Sequence, residues 1–279
     1  RSELEIFVPR RETCEVITLK LHNHDSQPRQ IQPYVCIDAG MGGIKKAQSY
    51  YMGDGDRLPG QPVVYLKNLA DMGGGEKAYS CLASSIPVCG FDCSYQQFVG
   101  YGSELAPDAV IRGRCSNSGA LMEKGILSMQ GETIRLAPGE FREICFVIGV
   151  ALSRKEITER LLPFLDKTIR DASRNETLSA IDNELGPTRL FTPDVQLNKF
   201  SSFWLKRQIA LGIQWARVRH NGFRDQIQDI TAFAHINPEV ALAQLKRVLA
   251  FQYANGYAPR TWMNGEIIDK DFSDNHSWI

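Results

Sequence analysis

The sequence has no apolar run of about eighteen residues or more, and its N-terminus lacks a basic segment followed by an apolar one. We therefore expect neither a membrane span nor a signal peptide, and we predict a cytoplasmic protein. An excess of either charge is also missing, because 32 basic and 32 acidic residues balance. This balance argues against nucleic acid or an anionic membrane as the main partner, whereas a neutral ligand is compatible with it.

Nucleotide and metal motifs are absent as well. Two glycine-rich stretches, at 40–43 and 73–77, lack the Gly-Lys-Ser/Thr ending of a P-loop and the spacing of a dinucleotide fingerprint, so we predict loops there. The seven cysteines are odd in number and match no zinc spacing; Cys89 and Cys93 have no second close pair. Buried free thiols in a reducing compartment are the prediction, in preference to a metal site or a disulfide framework.

Cysteine and tryptophan divide the chain in two. All seven cysteines precede residue 150, and all four tryptophans follow residue 200. The first part has short runs rich in β-branched and aromatic residues, separated by turn-forming clusters, and without long helical patterns between them. The predicted strands are Leu4–Val8, Glu15–Leu21, Gln30–Ile37, Pro62–Leu66, Tyr95–Val99 and Arg142–Val150. This pattern favours an antiparallel β-sandwich over a parallel α/β sheet.

Helical patterns begin after residue 152. Ser153 and Glu156 form a capping-box pattern, and apolar residues then recur at helical spacing. Breaks at Gly186-Pro187 and Thr192–Asp194 precede two further helices, one around 200–213 and one over Pro238–Gln252. The predicted organisation is a β-sandwich over 1–152, a helical linker over 153–193 and paired helices over 194–279. Helices paired through polar loops are typical of an (α/α) toroid.

Two polar motifs stand out in the helical part. Gly222–Asp229 reads GFRDQIQD, and about fifty residues later Asp271–Trp278 reads DFSDNHSW. The first motif places a fork-shaped donor and several acceptors within six residues, namely Arg224, Asp225, Gln228 and Asp229. Such a set can hold several hydroxyls of a pyranose ring at once.

Breaking a glycosidic bond requires protonation of the leaving oxygen, and a carboxylic acid near that bond contributes on the order of a hundredfold or more. Asp274 is the candidate acid. Asp274 lies two residues after Phe272. The ring of Phe272 could raise the pKa of the Asp274 carboxyl by lowering the local polarity, and it could also stack on a sugar. A hydrolase needs a second carboxylate for water, whereas a phosphorylase uses phosphate and needs cationic donors. Arg219 is the first choice for phosphate among Arg217, Arg219 and His220.

The two motifs resemble those of glycoside hydrolase family 94, the inverting phosphorylases of β-glucosides. Asn198–Phe200 and Phe203–Gln208 resemble the family's first catalytic-domain helix, and Leu136–Glu140 resembles its last sandwich turn. The resemblance implies a β-sandwich, a helical linker and the start of an (α/α)6 toroid. It also implies that only about 85 residues of that toroid are included, so we expect a portion of a longer polypeptide that is truncated at both ends.

The resemblance further implies that Arg224 and Asp225 hold the glucosyl unit and that Asp274 is the general acid. Phosphate is then the co-substrate, no metal or organic cofactor is needed, and a homodimer is expected. Later loops would supply further phosphate ligands. The product would be α-glucose 1-phosphate and a shortened sugar, with β-1,2-oligoglucan favoured among β-linked gluco-oligosaccharides. The alternatives are a phosphorylase-like domain of a cyclic β-glucan synthase and a noncatalytic carbohydrate-binding piece.

Each candidate residue also has a purely structural interpretation. Arg224, Asp225 and Asp229 could form an ion-pair cluster at a helix N-terminus, and Asp274 could cap a helix that starts near Asn275. Trp215 and Trp278 are predicted to be core residues, whereas Trp262 lies in a polar sequence and is predicted to contact substrate. His276 could orient Asp274 or only pack.

Overall fold

The computed structural model describes residues 1–39, 53–68, 78–120, 122–186, 188–214, 221–263, 266–268 and 275–278. The chain forms two compact units, Arg1–Thr177 and Leu178–Ile279. The division falls within a helix, whereas the predicted boundaries lie at 152/153 and 193/194. Among the described helices, none is both long enough and apolar enough to cross a membrane.

The first unit contains antiparallel sheets. Its strands are β1 (Ser2–Phe7), β2 (Cys14–His22), β3 (Arg29–Ile31), β4 (Tyr34–Asp38), β5 (Gly53–Arg57), β6 (Val63–Asn68), β7 (Tyr79–Ser84), β8 (Val88–Ser94), β9 (Gly125–Gly131), β10 (Ile134–Leu136) and β11 (Phe141–Ala151). They form a six-stranded sheet in the order β1-β2-β11-β7-β6-β5, a three-stranded sheet β4-β9-β8 and the pair β10-β3. The predicted β-rich sandwich is confirmed.

The six-stranded and three-stranded sheets face each other across the main core. Leu66, Leu82 and Ile144 from the larger sheet join Leu127 and Met129 from the smaller one. Successive strand residues point to opposite faces, so the neighbouring residues of the larger sheet face outward. There they meet a second apolar layer from the helical segment that follows β11, which includes the buried Ile157 and Leu161.

That segment comprises α3 (Arg154–Glu156), a π-helical turn Ile157–Leu161, a 3-10 turn Leu162–Leu165 and α4 (Lys167–Glu184). The predicted Ser153 cap is present, because Ser153 Oγ accepts a hydrogen bond from Glu156 N at 3.2 Å. Glu156 Oε2 in turn accepts from Leu152 N at 2.9 Å. The start of the helix is therefore fixed by its own first turn, as the sequence predicts.

Two predicted strands are wrong. Tyr95–Val99 is instead helix α1 (Tyr95–Phe98), because Ser94 Oγ caps it by accepting from Gln97 N at 3.1 Å. A second short helix, α2 (Asp108–Ile111), follows in the same connection between β8 and β9. Gln30–Ile37 is two strands in different sheets. Pro33 separates them and has no N–H to continue a ladder.

The second unit contains α5 (Val195–Lys199), a π-helical turn Phe200–Trp204, α6 (Leu205–Gln214), α7 (Phe223–Phe233) and α8 (Pro238–Leu249). Short strands β12 (Asn221–Gly222), β13 (Thr261–Met263) and β14 (Glu266–Ile268) form a small sheet that the sequence did not predict. Both predicted helices are confirmed. However, Phe200, Phe203 and Trp204 are 45 to 52% exposed, and the core begins only at Ala210 and Ile213.

All seven cysteines are free thiols. Five of them are buried, as predicted, whereas Cys36 and Cys89 are exposed. Burial raises the pKa of Cys14, Cys81 and Cys115 to about 12. These thiols are therefore protonated at neutral pH.

Candidate active site

The arginine motif forms the first two turns of α7. Phe223 N donates to Arg260 O at 3.0 Å, and Gly222 precedes the helix in an extended conformation. At about 100° per residue, Arg224, Asp225, Gln228 and Asp229 fall within one arc of about 140°. The sequence spacing thus places all four predicted ligands on one side of the helix.

The four side chains differ in exposure. Arg224 and Gln228 are half-buried and Asp225 is exposed, so these three are accessible from outside the helix. Asp229 is only 4% exposed. It packs against Gly212 of α6, where an added Cβ would lie 2.6 Å from Asp229 Oδ2. This burial favours a supporting position for Asp229 and gives no support to its predicted contact with substrate.

Asp225 lies directly over Gly222. A Cβ at residue 222 would collide with Asp225 Oδ2, so the absence of a side chain there is what lets the carboxylate fold back towards the start of α7. A carboxylate in the first helical turn also interacts favourably with the helix dipole. The position of Asp225 is therefore set by the Gly-Phe-Arg-Asp order itself.

The described end of the second motif, Asn275–Trp278, lies beside the first motif, although about fifty residues of sequence separate them. The link is 258–262: Arg260 O accepts the first amide of α7, and β13 pairs with β12 through Gly222–Thr261 and Asn221–Trp262. On the same segment, Pro259 O accepts from Asn275 Nδ2 at 2.9 Å. The 3-10 helix Asn275–Trp278 also contacts α7. One short segment thus holds both motifs.

Asn275 is a site residue that the sequence did not identify. Its side chain is only 3% exposed, and its amide holds the second motif on Pro259. Gln226 was missed as well; its Nε2 donates to Gly212 O at 2.9 Å in the interior. Helical spacing from Arg224 would have placed Gln226 on the buried side, whereas no sequence pattern identifies the partner of Asn275.

Trp262 is a core residue in this structure. It is 4% exposed, stacks on Phe251 with ring centroids 4.5 Å apart and meets the edge of Phe223 at 6.4 Å. A sugar platform needs an open ring face, and Phe251 covers one of them. The predicted substrate contact of Trp262 therefore has no support. Trp278, predicted to be a core residue, is 44% exposed instead.

Several candidates lie outside the described residues: Trp215, Arg217, Arg219, His220, Phe272 and Asp274, together with the glycine-rich stretches at 40–43 and 73–77. His276 lies in the 3-10 helix, but its side chain is not described. That helix begins at Asn275, directly after Asp274 in sequence. The capping and acid interpretations of Asp274 both remain predictions. Within the described residues, no three His, Cys, Asp or Glu side chains are grouped to hold a metal ion.

The structure is thus that of an α+β protein with an antiparallel β-sandwich unit and a helical unit in which α7 carries Arg224 and Asp225. Residues 1–166 match the family model of the glycosyl hydrolase 94 supersandwich domain. Residues 182–278 match that of the glycosyl hydrolase 94 superfamily catalytic domain. The chain belongs to glycosyl hydrolase family 94.

Curated relatives agree with this assignment. The chain is 27% identical to solabiose phosphorylase of Paenibacillus borealis, over 98% of this chain and 36% of that protein. It is 28% identical to 3-O-beta-D-glucopyranosyl-beta-D-glucuronide phosphorylase of the same organism, over 92% and 34%. The chain thus spans about a third of the length of these relatives.

A crystal structure of a bacterial glucoamylase complexed with acarbose is similar in fold. Its TM-score is 0.59 at 14% identity, and the match covers 97% of this chain and 40% of the other. At this identity the similarity concerns the fold alone.

Proposed function

We propose that this chain belongs to an enzyme that carries out inverting phosphorolysis of a β-linked gluco-oligosaccharide. The observation that carries the proposal is that 258–262 hydrogen-bonds both the first amide of α7, the helix that carries Arg224 and Asp225, and the side chain of Asn275, which directly follows Asp274 in sequence. The similar curated proteins include several phosphorylases, which supports this reaction class.

The proposed chemistry uses one protein acid. A phosphate oxygen attacks the anomeric carbon while the glycosidic C–O bond breaks, and Asp274 gives its proton to the leaving sugar oxygen. The glucosyl unit leaves as α-glucose 1-phosphate with inverted configuration. Arg224 donates to hydroxyls of that unit and Asp225 accepts from them, because the two side chains are accessible on one side of α7.

We assign the phosphate site to a cation that precedes α7 in the sequence. Arg219 is the proposed ligand, three residues before Gly222 in sequence. An arginine fork matches the oxygens of phosphate with two parallel hydrogen bonds. Phosphate is a co-substrate in this proposal, and the reaction calls for no metal or organic cofactor.

The preferred linkage is the finer part of the proposal. We favour β-1,2-linked glucan oligomers among the β-linked candidates, whereas the named relatives differ among themselves, with solabiose, a glucosyl glucuronide, cellobionic acid and diacetylchitobiose in their names. We also propose a cytoplasmic homodimer. Light scattering after gel filtration would test the dimer, which a monomeric mass would exclude.

A second candidate is a phosphorylase-like domain of a cyclic β-glucan synthase. The observation in its favour is 26% identity to cyclic beta-(1,2)-glucan synthase NdvB of Rhizobium meliloti, over 95% of this chain and 10% of that protein. In that case the complete protein would elongate or cyclise glucan.

The test is release of α-glucose 1-phosphate from β-linked glucose oligomers by the complete protein, with and without phosphate. We expect phosphate-dependent product, the highest rate with β-1,2 linkages and loss of product in Asp274→Asn. Free glucose without phosphate would indicate hydrolysis, and binding without turnover would indicate a noncatalytic role. Cyclic product from a glucosyl donor would favour the synthase.

A further inference from the structure

A cavity of about 330 Å³ lies on the outer face of the three-stranded sheet. Its lining residues are Cys36, Asp38, Tyr95, Phe98, Val99, Glu104, Pro107, Lys124 and Ile126. On β4, Val35 and Ile37 pack against the main core, so alternation turns Cys36 and Asp38 to this outer face. The volume is at the lower end of small-molecule pockets, which suits about one hexose ring.

The inner wall of this outer-sheet pocket is apolar and rigidly placed. Phe98 and Ile126 are each 2% exposed and belong to one apolar cluster with Val99. Helix α1, which carries Phe98, is held over the sheet by its Ser94 cap and by Tyr95 N, which donates to Lys124 O at 3.1 Å. The wall is therefore formed before any ligand arrives.

The opposite rim is polar, and its side chains orient one another. Lys124 Nζ lies 4.2 Å from the centroid of the Tyr95 ring and 3.6 Å from Asp38 Oδ2. Tyr95 Oη donates to Glu104 Oε1 at 3.5 Å. The side chains of Lys124 and Asp38 are 35% and 49% exposed, so both remain accessible to a molecule in the cavity. The rim offers two carboxylates, one ammonium and one phenol.

We propose that the outer-sheet pocket binds a neutral pyranose, which lies beside the half-buried Pro107 and places its hydroxyls on Asp38, Glu104 and Lys124. Carboxylates accept hydroxyl protons and the ammonium donates to ring or hydroxyl oxygens, so the rim matches a polyol. Two carboxylates against one ammonium disfavour an anionic ligand such as phosphate. The choice of a glucoside as probe rests on the proposed function.

Cys36 provides a local reporter for the test, and Cys89 is its matched control in the same unit. Both residues are exposed, but only Cys36 lines the cavity. Desolvation raises the pKa of the Cys36 thiol to about 11, so labelling with iodoacetamide at a pH of about 9 is slow enough to follow. The rate at each cysteine is read by peptide mass spectrometry, with methyl β-D-glucoside and without phosphate.

A millimolar Kd is typical of a ligand with few contacts, and glucoside at ten times Kd should then slow Cys36 labelling about tenfold. Cys89 should keep its rate. Glu104→Gln and Asp38→Asn should each raise the Kd for the glucoside, read from Cys36 labelling, by about tenfold, which is the loss expected for one hydrogen bond to a charged group. Glu132 lies outside the lining of the cavity, so Glu132→Gln should leave the Kd unchanged.

Three results would overturn the proposal: equal slowing at both cysteines, no slowing at glucoside concentrations up to about a hundred times the expected millimolar Kd, and slowing by ethylammonium but not by glucoside. The last result would assign the pocket to organic cations. Glucose 1-phosphate release is measured separately. If no glucose 1-phosphate is released but the glucoside still protects Cys36, only the proposed function is rejected. If glucose 1-phosphate is released but Cys36 is not protected, only the proposed pocket is rejected.

Discussion

At the scale of single residues, the candidate site depends on side chains whose exposure differs by position on α7. Arg224, Asp225 and Gln228 are accessible, whereas Gln226 and Asp229 are buried against α6. The motif thus combines two tasks in eight residues. Some of its polar residues are accessible to a ligand, and others hold the helix in place.

Arg224→Lys should lower kcat/KM for phosphorolysis by about tenfold to a hundredfold, because an ammonium cannot reproduce the two parallel hydrogen bonds of a guanidinium. The assay is release of glucose 1-phosphate by the complete protein. Arg247→Lys, an exposed arginine in the last turn of α8, is the control and should keep wild-type activity. Equal activity of all three proteins would remove Arg224 from the site.

At the scale of elements, the site is assembled by a connection that neither motif contains. Segment 258–262 receives the first amide of α7 on Arg260 O and the amide of Asn275 on Pro259 O. The approach of the two motifs therefore depends on backbone carbonyls, which any sequence possesses. This is why the sequence identified the motifs but not their link.

Asn275→Asp should release the second motif, because a carboxylate cannot donate to Pro259 O and leaves that carbonyl unsatisfied at a cost of about 1–3 kcal/mol. We expect faster hydrogen–deuterium exchange over 275–278 and a lower rate of phosphorolysis.

The control is Asn255→Asp. Asn255 is exposed and acts through Oδ1, which accepts from Tyr257 N at 3.1 Å, so aspartate retains that bond. If the two variants exchange at the same rate as wild type over 275–278, Asn275 is not the anchor.

At the scale of the whole molecule, the first unit is stabilised by layers buried on both faces of its larger sheet. Cys81 illustrates this, with no exposed surface and a thiol whose pKa burial raises to about 12. In the unfolded chain the same thiol titrates near its ordinary value of 9.0. The folded state therefore retains a proton that the unfolded state loses above that pH.

The sign of the resulting pH dependence follows from this difference in bound protons. Stability from Cys81 is complete below pH 9 and is lost as pH rises towards 12, by about 2 kcal/mol at pH 10.5. Urea unfolding at pH 8 and pH 10.5 should show this decrease, and Cys81→Ala should show a smaller one. Parallel decreases in both proteins would exclude Cys81 as a source.

Extensive burial also explains why the sequence did not predict strands β7 and β9. All of β9 and nearly all of β7 are buried, so they read as continuous apolar or small-residue runs without the alternation that marks β2. The strand predicted for Tyr95–Val99 was wrong for a different reason. Its aromatic and β-branched residues favour a strand, but the local Ser94 cap and the packing of Phe98 on the sheet select a helix.

The sequence by itself determined the two-part organisation, the capped helix after Ser153, helix α8 and the two polar motifs, because each depends on residues close together in the chain. Only the tertiary structure decided that Asn275 meets Pro259, that Trp262 is buried on Phe251 and that Asp229 faces Gly212. Those outcomes depend on contacts between distant segments, and a local pattern carries no information about which distant surface will cover it.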